Sequence, residues 1–338
     1  MNPILVEIYR GEVLESFHRG VICIVDRHEK VVYSEGDVHQ LCYPRSALKF
    51  FQQLPLLMSG AAEHFGFTPQ EIAIMCGSHN GEEVHVETVF SILHKIGLDP
   101  GYLLCGAQYP SDKRSANKLI AANTKPGAIH NNCSGKHAGF LAYTLFIGAD
   151  LKSYLNPDHP VQKEIRKMAA DFHAMDEQNM LVALDGCSAP IYAIPVFNQA
   201  LAYKRLVDPT FGDAQLRKAC DRVVQAVREF PFLIAGSGRY CTDLIAACSD
   251  QLIGKTGAEG IYSLAFHQEI YGACIKIDDG KMLPQYNVAQ KLVVQSGLFS
   301  EEALAPLFHY MEEPLLNFNN WETGRIKVAD SILAKTWR

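Results

Sequence analysis

Pro44-Arg45-Ser46-Ala47-Leu48-Lys49 is the stretch around which the chain changes texture. Before it, Leu5–Ile8, Gly20–Val25 and Lys30–Tyr33 are short and rich in β-branched residues. Polar turn material such as Asp26-Arg27-His28-Glu29 separates them, which predicts strands. After it, helical periodicity takes over. Thr68-Pro69-Gln70-Glu71 reads as a capping box with proline at the first helical position. Val86, Val89, Phe90, Leu93 and Ile96 form a helical stripe ended by Gly97. Ile165, Met168, Ala169 and Phe172 mark another helix, as do Leu216, Cys220, Val223, Val224 and Val227. Beyond Lys255 the β texture returns in Gly260–Phe266 and Gly272–Ile277, with Asp278-Asp279-Gly280 as a turn and a helical stretch near Val288–Ser296. Strands at both ends with helices between them predict one α/β catalytic domain of two lobes. Its mixed sheet is assembled from about residues 1–40 and 255–338, and the region between them is helical.

The composition narrows the function classes. A chain of 338 residues can bury a large core, and 48% hydrophobic with 20% charged residues is ordinary for a globular protein. A formal charge of −6 argues against a general grip on nucleic acid, which needs a basic face. No stretch approaches the roughly 18 apolar residues of a membrane span. Met1-Asn2-Pro3-Ile4-Leu5-Val6-Glu7 lacks the basic start of a secretory signal. Ten cysteines with no C-x-x-C pair fit buried thiols in a reducing compartment, so a cytoplasmic location is expected.

Ser46 and Lys49 stand three residues apart, which on a helix places a hydroxyl and an amine on one face. A lysine takes a hydroxyl proton only when burial or a neighbouring cation weakens its hold on its own. Lys255, in Lys255-Thr256-Gly257, is the candidate cation. Ser78, in Ser78-His79-Asn80, is the candidate relay to a leaving amine. The start of the helix offers backbone N–H groups to an oxyanion. S-x-x-K, S-x-N and K-T-G in this order are the working set of serine β-lactamases and penicillin-binding proteins, which attack an amide carbonyl with a serine. Each element alone is cheap, but three in order predict an enzyme. Only 32 residues separate Ser46 from Ser78, short for a penicillin-type enzyme, which tells against a β-lactamase proper.

A second polar cluster lies at Asn131-Asn132-Cys133-Ser134-Gly135-Lys136-His137, opening a helix. A phosphate-loop reading fails, because His130 stands where a glycine belongs and His137 where Ser or Thr should follow. Asp185-Gly186-Cys187-Ser188-Ala189-Pro190 reads as a strand end entering a tight loop. Arg239 is a candidate carboxylate clamp, since its fork can pair bidentately. Cys133 with His137 is an alternative nucleophile pair.

Together these segments resemble the asparaginase II family, the Rhizobium-type L-asparaginases, nearly end to end. The anchors are Val6-Glu7, Arg10-Gly11, His18-Arg19-Gly20, Pro44 through Lys49, Ser78-His79-Asn80-Gly81-Glu82, Asn131 through Gly139, Asp185 through Pro190, and Lys255 through Gly260. The resemblance implies a serine β-lactamase/glutaminase-like fold and hydrolysis of L-asparagine to L-aspartate and ammonia. It makes Ser46 the nucleophile and Lys49 its base, with Ser78 and Lys255 as the second proton-handling pair. It implies zinc bound through Cys133, Lys136 and Cys187, with Asp185 beside them, and a homodimer. Arg45, Asn80, Asn132, His137, Asp185 and Arg239 are the candidate substrate-binding residues, while Trp321, Glu322 and Arg325 are assigned to structure. The rivals are a glutaminase or other amide hydrolase, one methylene being worth only about 1–3 kcal/mol in a pocket, and a catalytically inactive metal- or small-molecule-binding protein on the same fold.

Overall fold

The apolar runs at the two ends of the chain pair with one another. In the computed structural model, which describes residues 1–248 and 251–338, eight strands form one sheet. Its order is Glu312–Leu316, Glu322–Val328, Ile4–Arg10, Val13–Val25, Tyr271–Ile277, Ile261–Phe266 and Leu252–Gly257, with Val31–Glu35 also paired to Val13–Val25. The fold is α/β as expected, but every pairing in this sheet is antiparallel where a mixed sheet was expected. Short links explain the five pairings between consecutive strands, while Ile4–Arg10 with Glu322–Val328 and Val13–Val25 with Tyr271–Ile277 are long-range. Strands joined by a few residues can only return alongside one another, whereas parallel neighbours need a long crossover.

Val13–Val25 is the spine of the sheet, pairing with Ile4–Arg10 through its first half and with Tyr271–Ile277 through its second. Gly20 marks the change of partner, because a Cβ there would stand 2.2 Å from the carbonyl oxygen of Lys276. From Val21 to Val25 every residue is fully buried, so both faces of the sheet are covered at this point. The helix Val196–Val207 supplies one cover. Val196, Ala200 and Leu201 pack with Val21, Cys23, Val25, Ile261 and Cys274. Gly272 lets the helix approach, a Cβ there being 2.0 Å from the Ala200 oxygen.

The chain divides into two units. Residues 1–47, 194–208 and 247–338 form a sheet unit, and 48–193 with 209–246 form a helical unit. The boundary falls between Ala47 and Leu48, inside the stretch that organises the sequence.

In the helical unit the expected helices occur at Pro69–Met75, Glu83–Lys95, Pro160–Phe172 and Ala214–Glu229. The Thr68 capping box closes in both directions: Thr68 N–H donates to Glu71 Oε2 at 2.7 Å, and Glu71 N–H donates to Thr68 Oγ1 at 3.4 Å. The stripe on Glu83–Lys95 is rotated from its expected position. His85, Val89, Ile92, Leu93 and Ile96 are buried, whereas Phe90 is 53% exposed. A histidine with both ring nitrogens satisfied serves as an inward residue, which a hydrophobicity pattern does not register. Two other bounds differ. The helix expected near Val288–Ser296 runs from Met282 to Gln295. The helix expected from Ser46 is broken into a 3-10 turn, Arg45–Leu48, and the short segments Lys49–Gln52 and Leu54–Met58.

Candidate functional site

In the sheet unit, Ser46 lies within the 3-10 turn, half-buried, just after the buried Pro44. Arg45 has φ +53°, a left-handed conformation that costs a non-glycine residue about 1–3 kcal/mol and concentrates at functional sites. The turn is anchored from behind: Ala47 N–H donates to Pro44 O at 3.0 Å, and the Tyr203 hydroxyl donates to Ala47 O at 2.9 Å. The K-T-G segment is the end of the fully buried strand Leu252–Gly257. Its glycine is required here, because a Cβ on Gly257 would stand 2.2 Å from the Pro44 carbonyl oxygen. The Lys255 and Ser46 motifs, more than 200 residues apart in the chain, thus meet through their backbones. Lys255 is fully buried and donates to Thr256 O at 3.2 Å. The Thr256 hydroxyl is held by Gln285 Nε2 at 2.9 Å and the Tyr286 hydroxyl at 3.2 Å.

In the helical unit, Lys49 is 1% exposed and surrounded by acceptors. Its Nζ donates to Gly77 O at 2.5 Å, Ser78 Oγ at 2.9 Å and Asn132 O at 3.4 Å. The segment bearing Ser78 is aligned by backbone bonds, Ser78 N–H to Ile234 O at 2.8 Å and Asn80 N–H to Ala235 O at 2.9 Å. Asn80 then joins the loop beyond: its Nδ2 donates to Ser237 O at 3.0 Å, and its Oδ1 accepts from Arg239 Nη1 at 2.7 Å. Asn80 therefore fixes the direction of the half-buried Arg239 guanidinium.

The second polar cluster converges on two sulfurs. Cys133 sits just before the helix Ser134–Phe146, which carries Lys136 and His137. Cys187 comes from the tight loop between the hairpin strands Val182–Leu184 and Pro190–Tyr192, where Ser188 takes φ +66°. Lys136 Nζ donates to Cys187 Sγ at 3.0 Å, and the two thiols hydrogen-bond to each other. That bond from Cys187, with Lys49 and Lys136 nearby, holds the Cys133 thiol well below its ordinary range against the effect of burial. Cys187 is pushed up, because it supplies the shared proton and is buried. Burial opposes a charged Lys136, but Cys187, Cys133 and Asp185 outweigh it, so the ammonium holds its proton more tightly. His137 is fully buried, which drives it down to about 4. Asp185 is half-buried, bonded to its own loop through Gly186 N–H at 2.8 Å.

Of the candidate residues, the structure brings together Lys49, Ser78 and the Asn132 carbonyl; Asn80 and Arg239; and Cys133, Lys136, His137, Cys187 and Asp185. Within the sheet unit it joins the segments of Arg45, Ser46 and Lys255. Sequence reasoning took Asn132 from the Asn131-Asn132 pair, but the side chain that shapes the cluster is Asn131. Its Nδ2 donates to the carbonyls of Cys105 and Gly106 at 2.9 and 3.1 Å, and its Oδ1 accepts from Cys133 N–H at 2.8 Å. An asparagine two residues before a helix N-cap could have signalled that role. His79 was also passed over. It accepts from Gly81 N–H and its Nε2 lies 3.0 Å from Ser134 Oγ. Among the described residues, no three His, Cys, Asp or Glu side chains converge as a metal cage. A metal held by the sulfurs would therefore draw on the Lys136 amine as well.

Comparison with known proteins bears on this geometry. No curated protein matches the chain. Among solved structures, one from Bacteroides dorei DSM 17855, described provisionally as a beta-lactamase, is similar at 9% identity and a TM-score of 0.41. The similarity covers 77% of this chain and 87% of that one. Among the described residues, no helix is long and apolar enough to cross a membrane. The family model for L-asparaginase II matches residues 6–328, a span that contains the buried Lys49–Ser78 pair, the thiol cluster and the Lys255 strand. The chain belongs to the L-asparaginase II family and is an asparaginase-like amidohydrolase.

Proposed function

We propose that the protein hydrolyses L-asparagine to L-aspartate and ammonia with Ser46 as nucleophile. Ser46 Oγ attacks the side-chain carboxamide carbon, and its proton passes to the Lys49 amine. The tetrahedral adduct collapses, the C–N bond breaks, and the departing nitrogen receives a proton through Ser78. The aspartyl ester left on Ser46 is then cleaved by water, whose proton follows the same route. Lys255 completes, with Ser78, the second proton-handling pair. Arg45 and Arg239 face the substrate carboxylate, and Asn132, His137 and Asp185 the remaining polar groups. The observation that carries this reading is Lys49, 1% exposed, donating to the Ser78 hydroxyl at 2.9 Å, three residues after Ser46 in a chain of this family.

Zinc belongs to the same proposal. Cys133, already inclined to the thiolate, Cys187 and the Lys136 amine are a suitable donor set once Lys136 gives up its proton. Bound there, zinc would supply a weak Lewis acid that positions a polar group of the substrate, two thiolates having reduced its charge. A homodimer in a reducing, cytoplasmic compartment completes the reading, consistent with ten free cysteines, all buried.

The test is ammonia release from asparagine and from glutamine by the wild type and by Ser46→Ala. Asparagine turnover is expected to fall by about 10⁴ or more, with an unchanged unfolding temperature. Full activity in Ser46→Ala, with loss in Cys133→Ala, would transfer the nucleophile role to the thiol. Faster turnover of glutamine would make the protein a glutaminase. Zinc should co-purify with the wild type and be lost in Cys187→Ala; wild-type protein free of metal overturns the zinc assignment.

A further inference from the structure

Glu82 has no part in the reaction above, yet both oxygens of its carboxylate are bonded to one residue. Oε1 accepts the Ser237 N–H at 2.8 Å, and Oε2 accepts the Ser237 hydroxyl at 2.9 Å. Its main chain is fixed separately, at the start of the helix Glu83–Lys95. The Glu82 N–H donates to His85 Nδ1 at 3.1 Å, and its carbonyl accepts the His85 and Val86 N–H groups at 2.9 and 3.1 Å. The carboxylate is thus a fork reaching from a helix end to a loop.

That loop needs an outside hold. In Gly236-Ser237-Gly238 the exposed serine stands between two glycines with φ of +107° and +64°. Glycine gives the backbone its widest freedom. Gly236 packs on the same carboxylate, a Cβ there being 2.4 Å from Glu82 Oε1 and 3.0 Å from Asn80 Nδ2. Arg239 is the next residue after the loop, so the lie of the loop decides where its guanidinium starts.

Arg239 is left charged and open. A guanidinium carries five N–H donors. Asn80 Oδ1, a neutral acceptor, takes one of them at 2.7 Å, and among the described residues Arg239 forms no ion pair. Glu82 holds the loop on which Arg239 depends, but its two oxygens are engaged on Ser237. The acid that fixes the loop does not consume the charge.

We propose that Glu82 is a positioning residue: by clamping Ser237 it holds the loop so that Arg239 presents an unneutralised guanidinium to the substrate carboxylate. This deepens the proposed function and rests on it for the identity of that carboxylate. Glu82 acts through Arg239 on binding, and the acyl transfer at Ser46 does not pass through it.

The experiment separates binding from turnover by following ammonia release from L-asparagine and from its α-methyl ester, which lacks the negative charge. The wild type should prefer the free acid. Glu82→Ala should raise KM for asparagine about tenfold, keep kcat within about threefold, and cut the preference over the ester by about tenfold. Glu82→Gln, which keeps an acceptor for the Ser237 N–H, should recover most of both. Amide exchange in the wild type, which needs no variant to fold, should show the Ser237 N–H protected although the residue is exposed. An unprotected Ser237 amide overturns the proposal. Unchanged kinetics in folded Glu82→Ala, or equal losses on the two substrates, overturn it as well and leave asparagine hydrolysis standing. A wild type inactive on asparagine instead defeats the proposed function, and with it the carboxylate that Arg239 would meet.

Discussion

Lys255 and Lys136 are both buried to within 1% of complete, yet the two units house their charges differently. In the sheet unit, Lys255 lies on a strand buried along its whole length and donates to a neutral backbone carbonyl, beside a threonine fixed by Gln285 and Tyr286. In the helical unit, Lys136 meets groups that can themselves carry charge, two thiols and a carboxylate. The first arrangement sets the amine against backbone and neutral side chains held in place by hydrogen bonds. The second makes charge a property shared between amine and sulfur, open to metal and to proton exchange. A charge intended to act on a neighbour gains from the first environment, and a ligand set from the second.

Removing one buried lysine from each unit, Lys49 from the helical and Lys255 from the sheet unit, is the largest test of how the units house charge. Lys49→Met and Lys255→Met are each expected to lower asparagine turnover by about 10³. Lys49→Met should also lose about 2–4 kcal/mol of stability in urea unfolding, because Gly77 O, Ser78 Oγ and Asn132 O lose a common donor. Turnover that survives Lys255→Met would remove Lys255 from the mechanism.

Glycines sharpen the comparison at smaller scale. Gly257→Ala places a Cβ 2.2 Å from Pro44 O and must displace the segment leading to Ser46. It should cost about 1–3 kcal/mol and about tenfold or more in turnover. Gly238→Ala, in the helical unit, meets nothing within 4 Å and suffers only from its φ of +64°. About 1 kcal/mol is expected there, read as a shift in unfolding midpoint. Equal effects of the two substitutions would show that contact with Pro44 does not matter.

A further effect is on acid stability. Burial, together with the neighbouring His85, Lys49 and Arg239, holds His79 well below 6.5, so it is neutral in the folded chain. Below about 6.5 the unfolded chain binds a proton that the folded one refuses, and stability falls as pH falls. The slope approaches about 1.4 kcal/mol per pH unit for this group. Urea midpoints at pH 7 and 5 should converge in His79→Gln relative to the wild type; parallel curves would exclude His79 as the source.

Much of the sheet unit was legible because its strands are local apolar runs. In the helical unit, the Thr68–Glu71 capping box is a four-residue signal and was found. The rotated face of Glu83–Lys95 was not, since His85 is buried by its hydrogen bonds rather than by hydrophobicity. Ser46, Lys49, Ser78 and Lys255 were visible as ordered motifs. Cys133, Lys136 and Cys187 came only from the family resemblance, as no spacing rule joins positions 51 residues apart. Asn131 went unrecognised, standing beside a more conspicuous asparagine.

The sequence by itself determined the order of strands and helices, the serine–lysine spacing and the family. These depend on neighbours within a few residues, whose periodicity and capping chemistry are written locally. Tertiary structure alone decided that the two ends of the chain pair antiparallel, that Gly257 presses on Pro44, and that Asn131 ties the Cys133 N–H to the carbonyls of Cys105 and Gly106. Those facts arise where distant segments exclude water together, and hydrogen-bond direction there is fixed by which donors and acceptors the fold leaves facing each other.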